Sequence, residues 1–84
     1  MNNSEAIDSA VSLFVVYDSP RDYPTRYVIR EHFVSSDGTY GVSQEAFLFP
    51  NLDLAREWLD ERGFMQLPND PAEDDPAIVE VWMA

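Results

Sequence analysis

Carboxylates are the commonest reactive groups in this chain, and their spacing decides what chemistry they could carry. Asp53, Glu57, Asp60 and Glu61 recur within nine residues, and Asp70, Glu73, Asp74 and Asp75 fall within six. Acids so grouped can act as a general acid and base, ligate a hard cation, or present a negative field to a basic surface. A calcium loop needs ligands at alternate positions of a twelve-residue segment around a central Gly. Here Pro71 and Pro76 bracket a bare Glu73-Asp74-Asp75 run instead. His32 with Asp22, Glu31 or Glu80 would supply an acid–base pair, yet no hydroxyl nucleophile or oxyanion-stabilising motif accompanies it. A lone His on a strand reads as structural or exposed.

Other chemistries fall away by absence of their residues. The chain has no Cys, hence no thiolate nucleophile, disulfide or zinc finger, which fits a reducing compartment. Lys is missing, which removes Schiff-base chemistry and the phosphate loop ending in Gly-Lys-Ser/Thr. Gly38, Gly41 and Gly63 are isolated and cannot assemble a phosphate cradle. The reading is therefore a non-enzyme with no cofactor and no metal, in which the acids act through their field.

That field is large. Sixteen Asp and Glu stand against five Arg, giving a formal charge of −11 in 84 residues and a pI near 4.1. Direct nucleic-acid binding, which draws on clustered Lys and Arg, is excluded by this balance. A disordered acidic tail is excluded as well, because 45% hydrophobic and 13% aromatic content is ample to build a core. The charge exceeds the magnitude of about 2 to 8 that keeps a small domain soluble. It is also uneven: residues 64–84 carry −5, whereas residues 21–35 are locally basic at +1.

The elements that must position these groups follow from pattern. Residues 1–10 are polar and aperiodic and read as a flexible arm, leaving 11–84 as one domain. Val11 to Tyr17 is a strand closed by Asp18-Ser19-Pro20, and the two prolines of Ser19 to Pro24 make that segment a connection. Tyr27 to Ser35 is a second strand, antiparallel to the first, and Ser36-Asp37-Gly38-Thr39 turns it into a third. Tyr40 to Phe49 is that third strand, bulged or broken at Ser43-Gln44-Glu45. Asn51 caps a helix over Leu52 to Arg62, in which Leu52, Ala55, Trp58 and Leu59 keep helical spacing and Gly63 gives the stop. Phe64, Met65 and Leu67 return to the core, Pro68 to Pro76 is an acidic loop, and Ala77 to Met83 is a final strand. The order β-β-β-α-β predicts an α+β fold, with a small antiparallel sheet covered on one face by one helix.

Strand alternation assigns the faces. Tyr27, Ile29, Glu31 and Phe33 point to the helix, as do Val79, Val81 and Met83 of the last strand. The open face then carries Arg26, Arg30, His32, Glu80 and Trp82, with Arg30 and Trp82 as interface anchors.

Two segments, Tyr17-Asp18-Ser19-Pro20-Arg21-Asp22-Tyr23-Pro24 leading to Tyr27-Val28-Ile29-Arg30, and Asp74-Asp75-Pro76-Ala77-Ile78-Val79-Glu80-Val81-Trp82, resemble a group of short uncharacterised bacterial and phage proteins. The resemblance spans most of the chain from about Leu13 and carries no catalytic residue. In size, acidity and layout the chain is also similar to the small phage inhibitors of host defence, notably anti-CRISPR proteins, some of which imitate DNA.

These observations lead to an acidic inhibitor that occupies a positively charged, nucleic-acid-binding surface of a partner protein. Asp53, Glu57, Asp60, Glu61, Asp70, Glu73, Asp74 and Asp75 would supply its electrostatics. The alternative is an ordinary or self-associating interaction module, so that either a monomer or a homodimer is expected. With a longest apolar run of Leu13 to Tyr17 and an acidic N-terminus, the sequence predicts no membrane span and a cytoplasmic location.

Overall fold

A computed structural model describes residues 11–68 and 77–84. The expected arm and the loop acids Asp70, Glu73, Asp74 and Asp75 lie outside the described residues. The elements run β1 (Val11–Asp18), β2 (Tyr27–Val34), β3 (Tyr40–Val42), β4 (Phe47–Phe49), α1 (Leu52–Glu61), β5 (Met65–Leu67) and β6 (Ile78–Met83). All strands join one antiparallel sheet of order β3-β2-β1-β6-β5, with β4 also pairing with β2. Among the described residues one helix covers one face, which is the α+β layout the pattern predicts.

β1 and β2 pair along their whole length, from Val11 opposite Val34 to Asp18 opposite Tyr27. The eight residues between them are closed by Ser19 N–H donating to the Arg26 carbonyl at 2.8 Å. The next turn is set by Gly38, whose φ of 89° lies where a side chain would be strained. Asp37 also takes the Thr39 N–H at 2.9 Å. The third strand is broken as expected, since β3 pairs with the last residues of β2 and β4 with its first. β5 is an addition. Its three residues pair with Val81–Met83, where the sequence offered only apolar residues returning to the core.

The helix is fixed at both ends by its own sequence. Asn51 Oδ1 accepts the Leu54 N–H at 2.9 Å, satisfying one of the free first-turn donors. At the other end Phe64 N–H reaches the Leu59 carbonyl and Gly63 N–H the Asp60 carbonyl, a Schellman closure that requires the positive φ of 76° at Gly63. Between these caps Ala55 and Leu59 are buried against Phe14, Val16, Ile29 and Trp82 of the sheet. Trp58 lies among Phe14, Phe47, Phe49 and Phe64, with the Phe47 ring 4.8 Å away. Such a cluster dominates the core energy of a domain this small.

Candidate functional site

The outward side of α1 is a carboxylate stripe. At about 100° per residue, Asp53, Glu57, Asp60 and Glu61 fall within an arc of roughly 100°, opposite Ala55 and Leu59. All four are exposed, whereas Ala55 and Leu59 are buried. The spacing is locally unfavourable. Asp53–Glu57 and Glu57–Glu61 are like-charge pairs four residues apart, each costing about 0.2–0.5 kcal/mol. Asp60 and Glu61 also sit at the C-terminal end, where the helix dipole disfavours anions, and no basic residue occupies the last turn.

The two arginines of this segment are directed elsewhere. Arg56 crosses to the sheet, where its Nε donates to Glu80 Oε2 at 2.7 Å and its terminal nitrogen makes an ion pair with the same oxygen. The Glu80 hydrogen bond, followed by its charge, raises the affinity of Arg56 for its proton, and Asp53 adds a smaller pull. Arg62 lies with its guanidinium carbon 3.6 Å from the Trp58 ring centroid and donates to the Trp58 carbonyl. Neither cation lies within the stripe.

The Arg56 contact corrects the expected facing of the last strand. Glu80 and Trp82 do not lie on the open face; they are 3% and 5% exposed, under the helix. Trp82 stands opposite Phe14 and Glu80 opposite Val16, both core residues of β1. Trp82 Nε1 donates to Glu80 Oε1 at 3.0 Å, so the buried carboxylate is satisfied from two sides. Trp82 is thus a core residue rather than an interface anchor. Val81 and Met83, expected inward, face the other way beside Val15 and Leu13. Val79 does pack on the core, because the register shifts between Val16 and Tyr17 and inserts it as an extra residue.

Arg30 and His32 are on the open face as expected, but they do not share it with Trp82. Arg30 forms an ion pair with Asp22, drawing the connection between β1 and β2 toward this side. His32 is held between two tyrosines, with Tyr17 Oη 2.9 Å from Nε2 and Tyr40 Oη hydrogen-bonded to Nδ1. The three rings span β1, β2 and β3. Desolvation, aided by the Arg30 charge, holds the imidazole pKa below its ordinary value. The sequence carried a weak signal for this chain of rings, because Tyr17 in β1 and Tyr40 in β3 occupy positions that alternate onto the His32 face.

Among the described residues no group of three or more His, Asp or Glu is placed to hold a metal ion. No helix there is long and apolar enough to cross a membrane. No family model, curated protein or solved structure matches the chain.

Proposed function

We propose that this chain is a small acidic binding protein, without catalytic activity, that occupies a positively charged, nucleic-acid-binding surface of another protein. A CRISPR effector complex is the partner we favour, with the chain acting as a phage-type inhibitor. One observation carries the reading: four carboxylates share one outward arc of α1 while both arginines of that segment are engaged elsewhere. From Asp53 to Glu61 the helix rises about 12 Å, or about one charge per 4 Å. A strand of duplex DNA carries one phosphate per about 3.4 Å of axis, so a groove lined to receive a phosphate row meets a similar charge density here. An arrangement that costs helix stability on two counts is the kind retained for binding. The loop acids Asp70, Glu73, Asp74 and Asp75 would extend the field.

Competition tests this directly. Rising concentrations of the chain are added to effector complexes of several types bound to labelled duplex DNA. Displacement by the wild type, lost in the Glu57→Lys/Asp60→Lys/Glu61→Lys variant, supports the reading. DNA that stays bound to every effector, or equal displacement by the variant, overturns it.

A further inference from the structure

His32 is the only imidazole in the chain, and both of its ring nitrogens are taken by phenols. A neutral imidazole carries one N–H and one lone pair. Whichever nitrogen holds the proton, therefore, one phenol accepts from the ring and the other donates its O–H to it. Tyr17, His32 and Tyr40 thus form a short proton wire across β1, β2 and β3, and a shift of protons along it exchanges the donating phenol. The two ends differ in access. Tyr40 is 60% exposed, whereas Tyr17 is half-buried.

The surroundings keep the ring a base. Leu13 of β1 and Val42 of β3 stand opposite His32 in the register. Arg30, two residues along β2, acts on it as a cation and is paired with Asp22 of the connection. Glu31 faces the other side of the sheet, where it accepts from Ser12, so no carboxylate of the described strands stands beside the imidazole. Desolvation and the Arg30 charge both disfavour the imidazolium, which leaves the lone pair available at pH 7.

Loss of an electron makes a phenol O–H strongly acidic, so the reaction is fast where a base is already hydrogen-bonded to it. We propose that Tyr40 is a site of oxidative modification, at which a one-electron oxidant takes an electron from the phenol while its O–H proton passes to Nδ1 of His32. The oxidant, of the small-radical or peroxidase-ferryl class, is reduced by one electron. The products are a neutral phenoxyl on Tyr40 and an imidazolium, which gives up its proton to water. The phenoxyl then couples ring carbon to ring carbon with a second phenoxyl, and the two ring hydrogens move to the oxygens as the biphenol forms. Competing sites are less prepared. Tyr23 and Tyr27 have no imidazole partner, since both nitrogens of His32 are occupied. Trp58 carries the Arg62 guanidinium 3.6 Å above its ring centroid, and a cation there opposes an indole radical cation. Trp82 is buried.

Azidyl radicals, a neutral one-electron oxidant made by pulse radiolysis, test this on the full chain. Phenoxyl absorbance gives the rate, and mass mapping of peptides locates the modified tyrosine. Modification is expected at Tyr40, at a rate at least about tenfold above that in His32→Gln, whose amide accepts the O–H bond but is no base. The wild-type rate should fall as pH drops below the ordinary imidazole value of about 6.5, and the His32→Gln rate should stay level. Far-UV circular dichroism checks that the variant folds, and the wild-type pH profile stands without it. None of these groups belongs to the α1 stripe, so this site and the inhibitory reading fail separately. Equal Tyr40 rates in wild type and folded His32→Gln would mean that exposure alone governs the reaction, which overturns the proposal. Modification centred on Tyr23 or Tyr27, or a wild-type rate indifferent to pH, overturns it as well.

Discussion

Arg56 on the helix and Glu80 on the last strand form an ion pair across the helix–sheet seam, with Nε 2.7 Å from Oε2. The contact serves fold and surface at once. It gives a buried carboxylate its counter-charge, and it removes from α1 one cation that would otherwise lie near the acidic stripe. Arg62, stacked on Trp58, does the same at the other end of the helix.

Breaking that pair costs stability. Arg56→Ala leaves Glu80 buried with only the Trp82 donor, and about 1–3 kcal/mol is expected, the lower end because Arg56 is half exposed. Glu80→Gln preserves an acceptor for Trp82 and costs less. Urea unfolding followed by tryptophan fluorescence separates the two, and an Arg56→Ala variant as stable as wild type would show the pair to be energetically idle.

Trp82 distinguishes a core residue from a surface anchor. Trp82→Ala removes a large side chain from between Phe14, Ile29 and Leu59, and about 3–5 kcal/mol is expected, enough to unfold much of so small a domain. Trp82→Phe retains the packing and forfeits only the Glu80 hydrogen bond, about 1 kcal/mol. A fully stable Trp82→Ala variant would place this side chain at the surface after all.

Stability and binding should part on the helix. Glu61→Lys replaces a like-charge pair with Glu57 by an attractive one and puts a cation where the dipole favours it, a gain of about 0.5–1 kcal/mol. The same change should weaken partner binding. Thermal melting and competition for DNA sites, read on one variant, check both signs; a destabilised Glu61→Lys variant would contradict the description of the stripe.

His32 gives the fold a pH dependence. Its pKa is depressed in the folded chain, so the unfolded chain binds the proton more tightly. Its contribution is present above the ordinary imidazole value of about 6.5 and is lost as pH falls below that value toward the folded pKa. Stability should therefore decline from pH 7.5 to 5.5 in wild type and decline less in His32→Gln. Equal slopes would remove His32 from the account.

Much of this was legible in the sequence, and the rest was hidden for physical reasons. Asn51, Gly63 and the spacing of Leu52, Ala55 and Leu59 define α1 because capping and amphipathic periodicity are local. Gly38 likewise marks its turn. The facing of β6 was not legible, because Ile78-Val79-Glu80-Val81-Trp82-Met83 is apolar on both sides and its charged residue naturally reads as outward. Only the distant Arg56 makes the inward Glu80 tolerable, and no strand pattern reports a partner 24 residues away. β5 escaped notice because three residues carry no periodicity and Met65, its first, is exposed.

The central claim is that the α1 stripe binds a basic surface through charge. Its most direct test is the affinity for the partner captured from a bacterial lysate, measured at 50 and 200 mM salt for the wild type and for the Glu57→Lys/Asp60→Lys/Glu61→Lys variant. The account predicts that wild-type affinity falls at least about tenfold across that range and that charge reversal abolishes binding at either salt. An affinity indifferent to both salt and charge reversal would contradict it.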